Sequence, residues 1–264
     1  MPPSLYGVMA KRDRANDHLE RIERHIQTFF DSNPYPFATE RHPEHGLYQA
    51  RLIHPKDFPA TELSLMIGDC VHNMRSALDY IAWELAGGNI NDMQTMFPIF
   101  DTKAGFDRRG RKRIEAITNE DVRTKIERFQ PYNSPGPFPT IAAIQKVDAA
   151  DKHKLLTVTV ALLQESGIDG RIPPQAKATT YKGHFVNVPG IRLVHDAIIA
   201  TYSIAPPCPE MQVDFVLTPQ VEFGDNLGLP ARAYVVHNLK LMLGEVDFFI
   251  QEFTQFFETS GVST

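Results

Sequence analysis

Two short segments of this chain bring together side chains that can carry acid–base and anion-binding chemistry. Residues 67–85 read IGDCVHNMRSALDYIAWEL, and residues 148–154 read DAADKHK. Both segments offer carboxylates and an imidazole, and the first adds the guanidinium of Arg75. Joined in space, these groups would provide a general acid or base and a cation that binds phosphate. The two segments are therefore the candidate functional site.

Helical periodicity sorts the first segment into two faces. At about 100° per residue, a sector of about 120° holds Asp69, His72, Arg75, Ser76, Asp79 and Trp83. The opposite side is apolar and holds Ile67, Cys70, Met74, Ala77, Leu78, Ile81 and Leu85. The polar residues are short or bidentate types, which proteins use where geometry matters. A face that is only solvated is more typically rich in Lys and Glu.

A structural role is the alternative for both segments. Arg75 and Asp79 are spaced as an i, i+4 pair, and with His72 they could simply tie this helix to its neighbours. In the second segment, Lys152 and His153 lie near the expected end of a helix, where its dipole favours positive charge. The residue types alone leave both interpretations open.

We expect the two segments to touch, because an unpaired buried charge costs several kcal/mol. We predict that Arg75 or His72 lies within hydrogen-bonding distance of Asp148, Asp151 or His153. The burial of Arg75 then distinguishes the functional interpretation from the structural one. A solvent-reachable Arg75 beside His72 and His153 in a cleft favours a ligand site, and full burial with every donor paired favours a structural network.

The pattern HNMRSALD at residues 72–79, followed by DKH at residues 151–153, resembles a family of uncharacterised bacterial and phage proteins. The resemblance covers most of the chain, from the long helix to the last one. Members of that family often carry a histidine directly after the Leu-Asp pair. The resulting Arg-x₄-His pattern is similar to the motif of HEPN domains, helical bundles that include metal-independent ribonucleases.

This resemblance implies that Arg75 matches the motif arginine and that Asn73 is a nearby polar residue. Tyr80 stands where the motif histidine would be. Tyrosine is a poor general base near neutral pH, since its unperturbed pKa is about 10. The departure therefore puts cleavage in doubt, but not binding.

Two functional hypotheses follow. The first is a HEPN-like RNA-binding or RNA-cleaving protein, with RNA as its partner and no metal or cofactor. Its catalytic residues would be His72, Arg75, Asp79, Asp151 and His153, and its ligand-binding residues Asn73, Tyr80 and Lys152. The alternative is a non-enzymatic binding or interaction protein whose Arg/His/Asp clusters are structural. The chain has no Gly-rich phosphate loop, dinucleotide fingerprint, nucleophile elbow or Cys-based zinc site.

The sequence patterns along the chain predict the helices and strands that position these residues. Together they predict an α+β fold, with a mainly helical core and an antiparallel β-sheet inserted before a long C-terminal helix. Apolar residues at spacings of three and four predict helices over about 8–30, 60–86 and 140–151. One or two charged helices are expected within 106–129, a short strand over 47–54, and further strands between 157 and 223.

The last helix is expected to begin near Pro230 and to carry a heptad-like apolar seam. The seam predicts packing against the protein's own core, with a homodimer through helical faces as the alternative. We expect a single domain over 1–264. Its helical core would be 1–154 and 229–258, and its β-rich part 155–228.

Bulk composition narrows the class of protein. The 264 residues carry a formal net charge of −5, which argues against a generic, charge-driven binder of nucleic acid or membranes. The absence of a long apolar run or signal-like N-terminus predicts a cytoplasmic protein that spans no membrane. Residues 108–113, RRGRKR, could grip phosphates, although a solvated helix start is the favoured interpretation. Residues 41–45, RHPEH, are expected to form a surface loop rather than a metal site.

Overall fold

Helices form the first part of the chain and its end, and most strands lie between them. The computed structural model describes residues 4–42, 47–88, 94–134, 139–164, 169–171, 180–185, 193–205, 212–214, 217–224, 227–230 and 233–258. The helices are α1 (Tyr6–Asp31), α2 (Ala60–Leu85), α3 (Lys103–Gly105), α4 (Arg111–Arg113), α5 (Glu120–Arg128), α6 (Thr140–Asp151) and α7 (Val235–Glu258). A π-helical turn (Phe106–Gly110) joins α3 to α4, and a 3-10 turn spans Pro131–Asn133.

The strands are β1 (Phe37–His42), β2 (Leu47–Leu52), β3 (Val158–Gln164), β4 (Asp169–Arg171), β5 (Thr180–Phe185), β6 (Ile198–Ala205), β7 (Gln212–Asp214) and β8 (Leu217–Phe223). With α7 following them, they confirm the predicted α+β class. Their pairing gives a four-stranded sheet in the order β1-β2-β6-β5 and two-stranded sheets β3-β8 and β4-β7. Every neighbouring pair in the four-stranded sheet is antiparallel.

Local signals set the bounds of the long helices close to prediction. α2 starts directly after Pro59, and Gly87 lies two residues beyond its end with a φ of 91°, a backbone conformation that favours glycine. α6 follows Pro139 and spans the predicted residues 140–151. α7 differs: it begins at Val235, five residues after the predicted start at Pro230.

The four-stranded sheet contains the strand predicted over 47–54, as β2, and adds β1, which was not predicted. β2 alternates half-buried and buried residues, and its inward side chains Tyr48, Ala50 and Leu52 share a hydrophobic cluster with β6. β1, which includes Arg41 and His42 of the predicted surface loop, instead pairs with β2. Its sequence, FATERH, is too polar to indicate a buried strand, so only the pairing with β2 defines it. The sheet therefore draws on residues 37–52 as well as on those after 155.

The chain divides into two compact units. One comprises Met1–Arg24, Ala60–Val158 and Phe223–Thr264, and the other His25–Pro59 and Thr159–Glu222. Residues 25–59, predicted within the helical core, thus belong with the four-stranded sheet, because β1 and β2 pair within it. That the chain forms a single domain stays a prediction.

The heptad-like seam of α7 lies in the core of the first unit. Six of its seven apolar positions are buried, namely Val235, Leu239, Met242, Val246, Phe249 and Phe253. Phe97, which precedes α3, packs edge-on against Phe249 and Phe253, with ring centroids 5.1 and 6.2 Å away. The packing predicted for the seam is confirmed, and it fixes the backbone of Phe97 beside α2.

Candidate functional site

The two candidate segments meet where α2 passes close to α6. They approach closely at Gly68, where a Cβ atom would lie 2.3 Å from Asp151 Oδ1 and 2.5 Å from its Cγ. Such distances lie well inside van der Waals contact, so the missing side chain of Gly68 makes room for the Asp151 carboxylate. The predicted Asp151 is therefore at the junction of the two helices.

Arg75 is buried, with 5% of its surface exposed. Its Nη2 donates 2.6 Å hydrogen bonds to Asp79 Oδ1 and to the carbonyl oxygen of Phe97. The Phe97 amide donates to the same Asp79 oxygen over 2.9 Å. A ring of three hydrogen bonds thus joins α2 to the backbone at Phe97. The predicted motif arginine lies inside the protein rather than in an open cleft.

The charges of this ring are only partly compensated. Burial raises the pKa of Asp79, while the positive charge of Arg75 and the hydrogen bond from the Phe97 amide act to lower it. Arg75 Nη1 is also buried, and it has no hydrogen-bond partner among the residues that the structure describes. One guanidinium nitrogen of Arg75 is therefore left without a hydrogen-bond partner in the described part of the chain.

Asp148 is the residue through which the two segments interact. It is only 2% exposed, and Lys152 Nζ donates to its Oδ2 over 2.6 Å. His72 Nδ1 lies 3.4 Å from its Oδ1. The predicted contact between the segments is thereby confirmed, and His72 makes it rather than Arg75. The imidazole itself remains accessible, since 55% of the His72 side chain is exposed.

The remaining predicted site residues do not join this cluster. His153 is exposed, and its side chain forms no hydrogen bond or ion pair with any residue described. Asn73 and Tyr80 face α1 instead: Lys11 Nζ donates to Asn73 Oδ1 over 3.4 Å and lies 6.0 Å from the Tyr80 ring centroid. The predicted single site therefore separates into a buried ring, a junction at Asp148 and a contact with α1.

Asp148 was predicted as a contact between the segments, though not as a catalytic or ligand-binding residue, and Phe97 was not predicted at all. The i, i+4 spacing from Asp148 to Lys152, directly after α6, indicates their pairing. The carbonyl and amide of Phe97 gave no signal, since any residue offers the same backbone groups. Their role depends on the burial of Phe97 against α7.

Comparison with known proteins leaves the site without a family. No family model, no curated protein and no solved structure matches the chain. Within the described ranges, no group of three or more His, Cys, Asp or Glu side chains is placed to hold a metal ion. None of the described helices has both the length and the apolar character needed to cross a membrane. The function of the site is therefore inferred from the geometry of its residues.

Proposed function

We propose that this chain is a non-enzymatic binding protein in which the Arg/His/Asp clusters hold helices together. The observation that carries the proposal is the burial of Arg75, whose guanidinium bridges Asp79 and the Phe97 carbonyl. A ligand would have to displace these bonds to reach it. Tyr80, at the position of the motif histidine, packs beside Gly7 of α1, and this supports the same proposal.

The Asp148 junction supports a structural role in the same way. Its carboxylate is removed from solvent, and a cation or an imidazole lies beside each oxygen. Burying a carboxylate is tolerated when opposite charges and hydrogen bonds compensate it. The pairing with Lys152 and His72 therefore accounts for Asp148 and Lys152 of the DAADKHK segment without a substrate.

Arg75→Ala tests the proposal. We expect it to lower the free energy of unfolding by about 3–5 kcal/mol, since it leaves Asp79 partly buried without its counter-charge. Urea denaturation measures the loss, and Arg24→Ala, an exposed change on α1, should stay within about 0.5 kcal/mol of the parent. A stable Arg75→Ala protein that loses a ligand, RNA included, would contradict the proposal.

A HEPN-like, RNA-directed function is the second candidate, and one observation favours it. The exposed His72 imidazole lies 3.4 Å from the buried Asp148 carboxylate, an arrangement that can serve general acid–base catalysis. If this candidate holds in its RNA-cleaving form, the parent protein cleaves single-stranded RNA without added metal, and His72→Gln abolishes cleavage while leaving the fold intact. His237→Gln, an exposed histidine change on α7, is the control. Absence of cleavage by the parent protein excludes the cleaving form, and absence of both RNA cleavage and RNA binding excludes the candidate altogether.

A further inference from the structure

An open groove of about 600 Å³ lies beside the RRGRKR run of residues 108–113. Its lining includes Phe100 from the segment before α3, Arg108 and Arg109 from the π-helical turn, Arg113 from α4, and Gln145 from α6. The run predicted to be a solvated helix start thus directs three of its five cations toward one groove. Arginine side chains arranged in this way suit an anionic ligand.

The ring of Phe100 orders two of these guanidinium groups. The Cζ atoms of Arg109 and Arg113 lie 5.4 and 5.2 Å from its centroid, within cation–π range. The ring is itself held closely, because a Cβ at Gly110 would come within 3.0 Å of it. Stacking of this kind restricts the motion of long side chains, so less entropy is lost when a ligand binds.

These arginines also differ from their neighbours in charge pairing. Arg111 forms ion pairs with Asp107 and Glu127. In the part of the chain that the structure describes, no salt bridge involves Arg108, Arg109 or Arg113. One carboxylate, Asp101, lines the groove with them. The groove therefore holds an excess of positive charge in a protein whose net charge is −5.

Of the arginines that line the groove, Arg113 is partly desolvated. Burial lowers the pKa of Arg113, and the nearby charges of Arg75 and Arg109 lower it further, against an opposing effect of Asp79. Like charges held together in a partly buried position repel each other. An anion bound between the guanidinium groups would offset that repulsion.

We propose that this groove binds a phosphate group, held by the guanidinium groups of Arg109 and Arg113. Guanidinium is planar and donates two parallel hydrogen bonds to phosphate oxygens, and Gln145 adds a neutral amide donor at the same groove. The inference goes beyond the proposed function, which assigns no ligand, by naming the ligand as a phosphate ester. The same phosphate chemistry is found in small phosphate esters and at the 5′ end of RNA.

Titrations with two phosphate-bearing probes test this inference. Inorganic phosphate, followed by ³¹P NMR line broadening at constant ionic strength, reports phosphate binding without RNA, and the groove variants assign that binding to the groove. A short single-stranded RNA with either a 5′-phosphate or a 5′-hydroxyl, followed by fluorescence anisotropy, distinguishes an RNA end from a free phosphate. Arg109→Gln and Arg113→Gln should each weaken phosphate binding by about 10-fold or more, as expected for loss of charge-assisted hydrogen bonds. Arg24→Gln removes an equal charge from an exposed position outside the groove and should bind as the parent does.

The possible outcomes distinguish phosphate binding in the groove from the function of the Arg/His/Asp clusters. Phosphate binding that is lost in both groove variants supports the inference, and preference for the 5′-phosphorylated RNA identifies an RNA end as the source. Phosphate binding that is absent in the parent, or unchanged in both variants, overturns it. Arg109→Gln keeps the test decisive if Arg113→Gln unfolds, which thermal denaturation reveals. Phosphate binding at the groove together with RNA cleavage dependent on His72 would leave this inference standing and refute the non-enzymatic proposal.

Discussion

Asp151 is a carboxylate in unfavourable surroundings at the end of α6. Burial raises its pKa first, and the negative charges of Asp148 and Asp69 raise it further. His72 and Lys152 act in the opposite direction without cancelling the increase. These groups lie on α2, on α6 or directly after α6, so the pKa of Asp151 depends on how closely the two helices pack.

The raised pKa of Asp151 has a defined consequence for stability. The folded state binds the proton more tightly than an unfolded aspartate does, whose pKa is about 3.9. The resulting stabilisation is fully present below about pH 4 and is lost as the pH rises through the folded pKa. Ionised Asp151 therefore destabilises the folded protein at neutral pH.

Asp151→Asn should remove the destabilisation caused by ionised Asp151 while keeping the shape of the side chain. We expect the variant to be more stable than the parent at pH 7, with the difference vanishing towards pH 3–4 (about the pKa of a free aspartate), where Asp151 is protonated. Urea denaturation across this range measures the effect. Asp17→Asn, an equal charge change at an exposed position on α1, serves as the control. A variant less stable than the parent at pH 7 would show that the carboxylate has a stabilising partner.

At the scale of elements, the junction between α2 and α6 depends on one missing side chain. Alanine is favoured over glycine in helices by about 1 kcal/mol, so replacing Gly68 should help α2 taken alone. The added Cβ would overlap the Asp151 carboxylate, however. The sign of the substitution therefore depends on the neighbouring helix.

Gly68→Ala should destabilise the parent protein by about 1–3 kcal/mol, as overpacking of a close contact does. In an Asp151→Ala background the same change should become stabilising, by up to about 1 kcal/mol, because the overlapping carboxylate is gone. A double-mutant cycle from urea denaturation measures the coupling.

The matched control for that cycle is Gly244→Ala in α7. Apart from its chain neighbours and the nearby backbone of α7, no atom of the described residues lies within 4 Å of a Cβ built at this glycine. The substitution should therefore stabilise the protein by about 1 kcal/mol in either background. Equal effects of Gly68→Ala with and without Asp151 would show that the two helices adjust without strain.

At the scale of the whole molecule, α7 decides whether helical faces remain for a second copy. Its seam is largely occupied by the protein's own core. The large apolar side chains that α7 leaves exposed among its described residues are Leu241 and Phe248, seven positions apart on one face. A homodimer through helical faces stays a prediction, and on α7 this exposed pair is the surface it would use.

We expect no assembly through the seam, so the melting temperature should change over a roughly 100-fold range of protein concentration only if the exposed pair assembles. Light scattering coupled to gel filtration gives the mass independently. If the mass exceeds one chain, Leu241→Lys should reduce it while leaving the secondary structure unchanged, since the side chain is exposed. A concentration-dependent assembly that resists this change would place the interface elsewhere.

Local patterns were sufficient to determine the long helices of this protein. Proline before α2 and α6 and the apolar periodicity within them act over a few residues, so their bounds follow from the chain itself. The same periodicity identified α2 as two-faced, with His72 and Arg75 on its polar side. The need to compensate buried charge then led correctly to contact between α2 and the end of α6.

Only the tertiary structure decided what the polar residues do. Arg75 is buried because its second acceptor is a carbonyl 22 residues away, on a backbone segment held by the aromatic packing of α7. β1 exists through pairing with β2, which no periodicity in FATERH records. The sequence placed His72 and Arg75 on one face, but long-range packing left the first exposed and enclosed the second. The spacing of residues along a helix determines the direction in which each side chain points. Whether that side chain is buried depends on which distant segments pack against the same face.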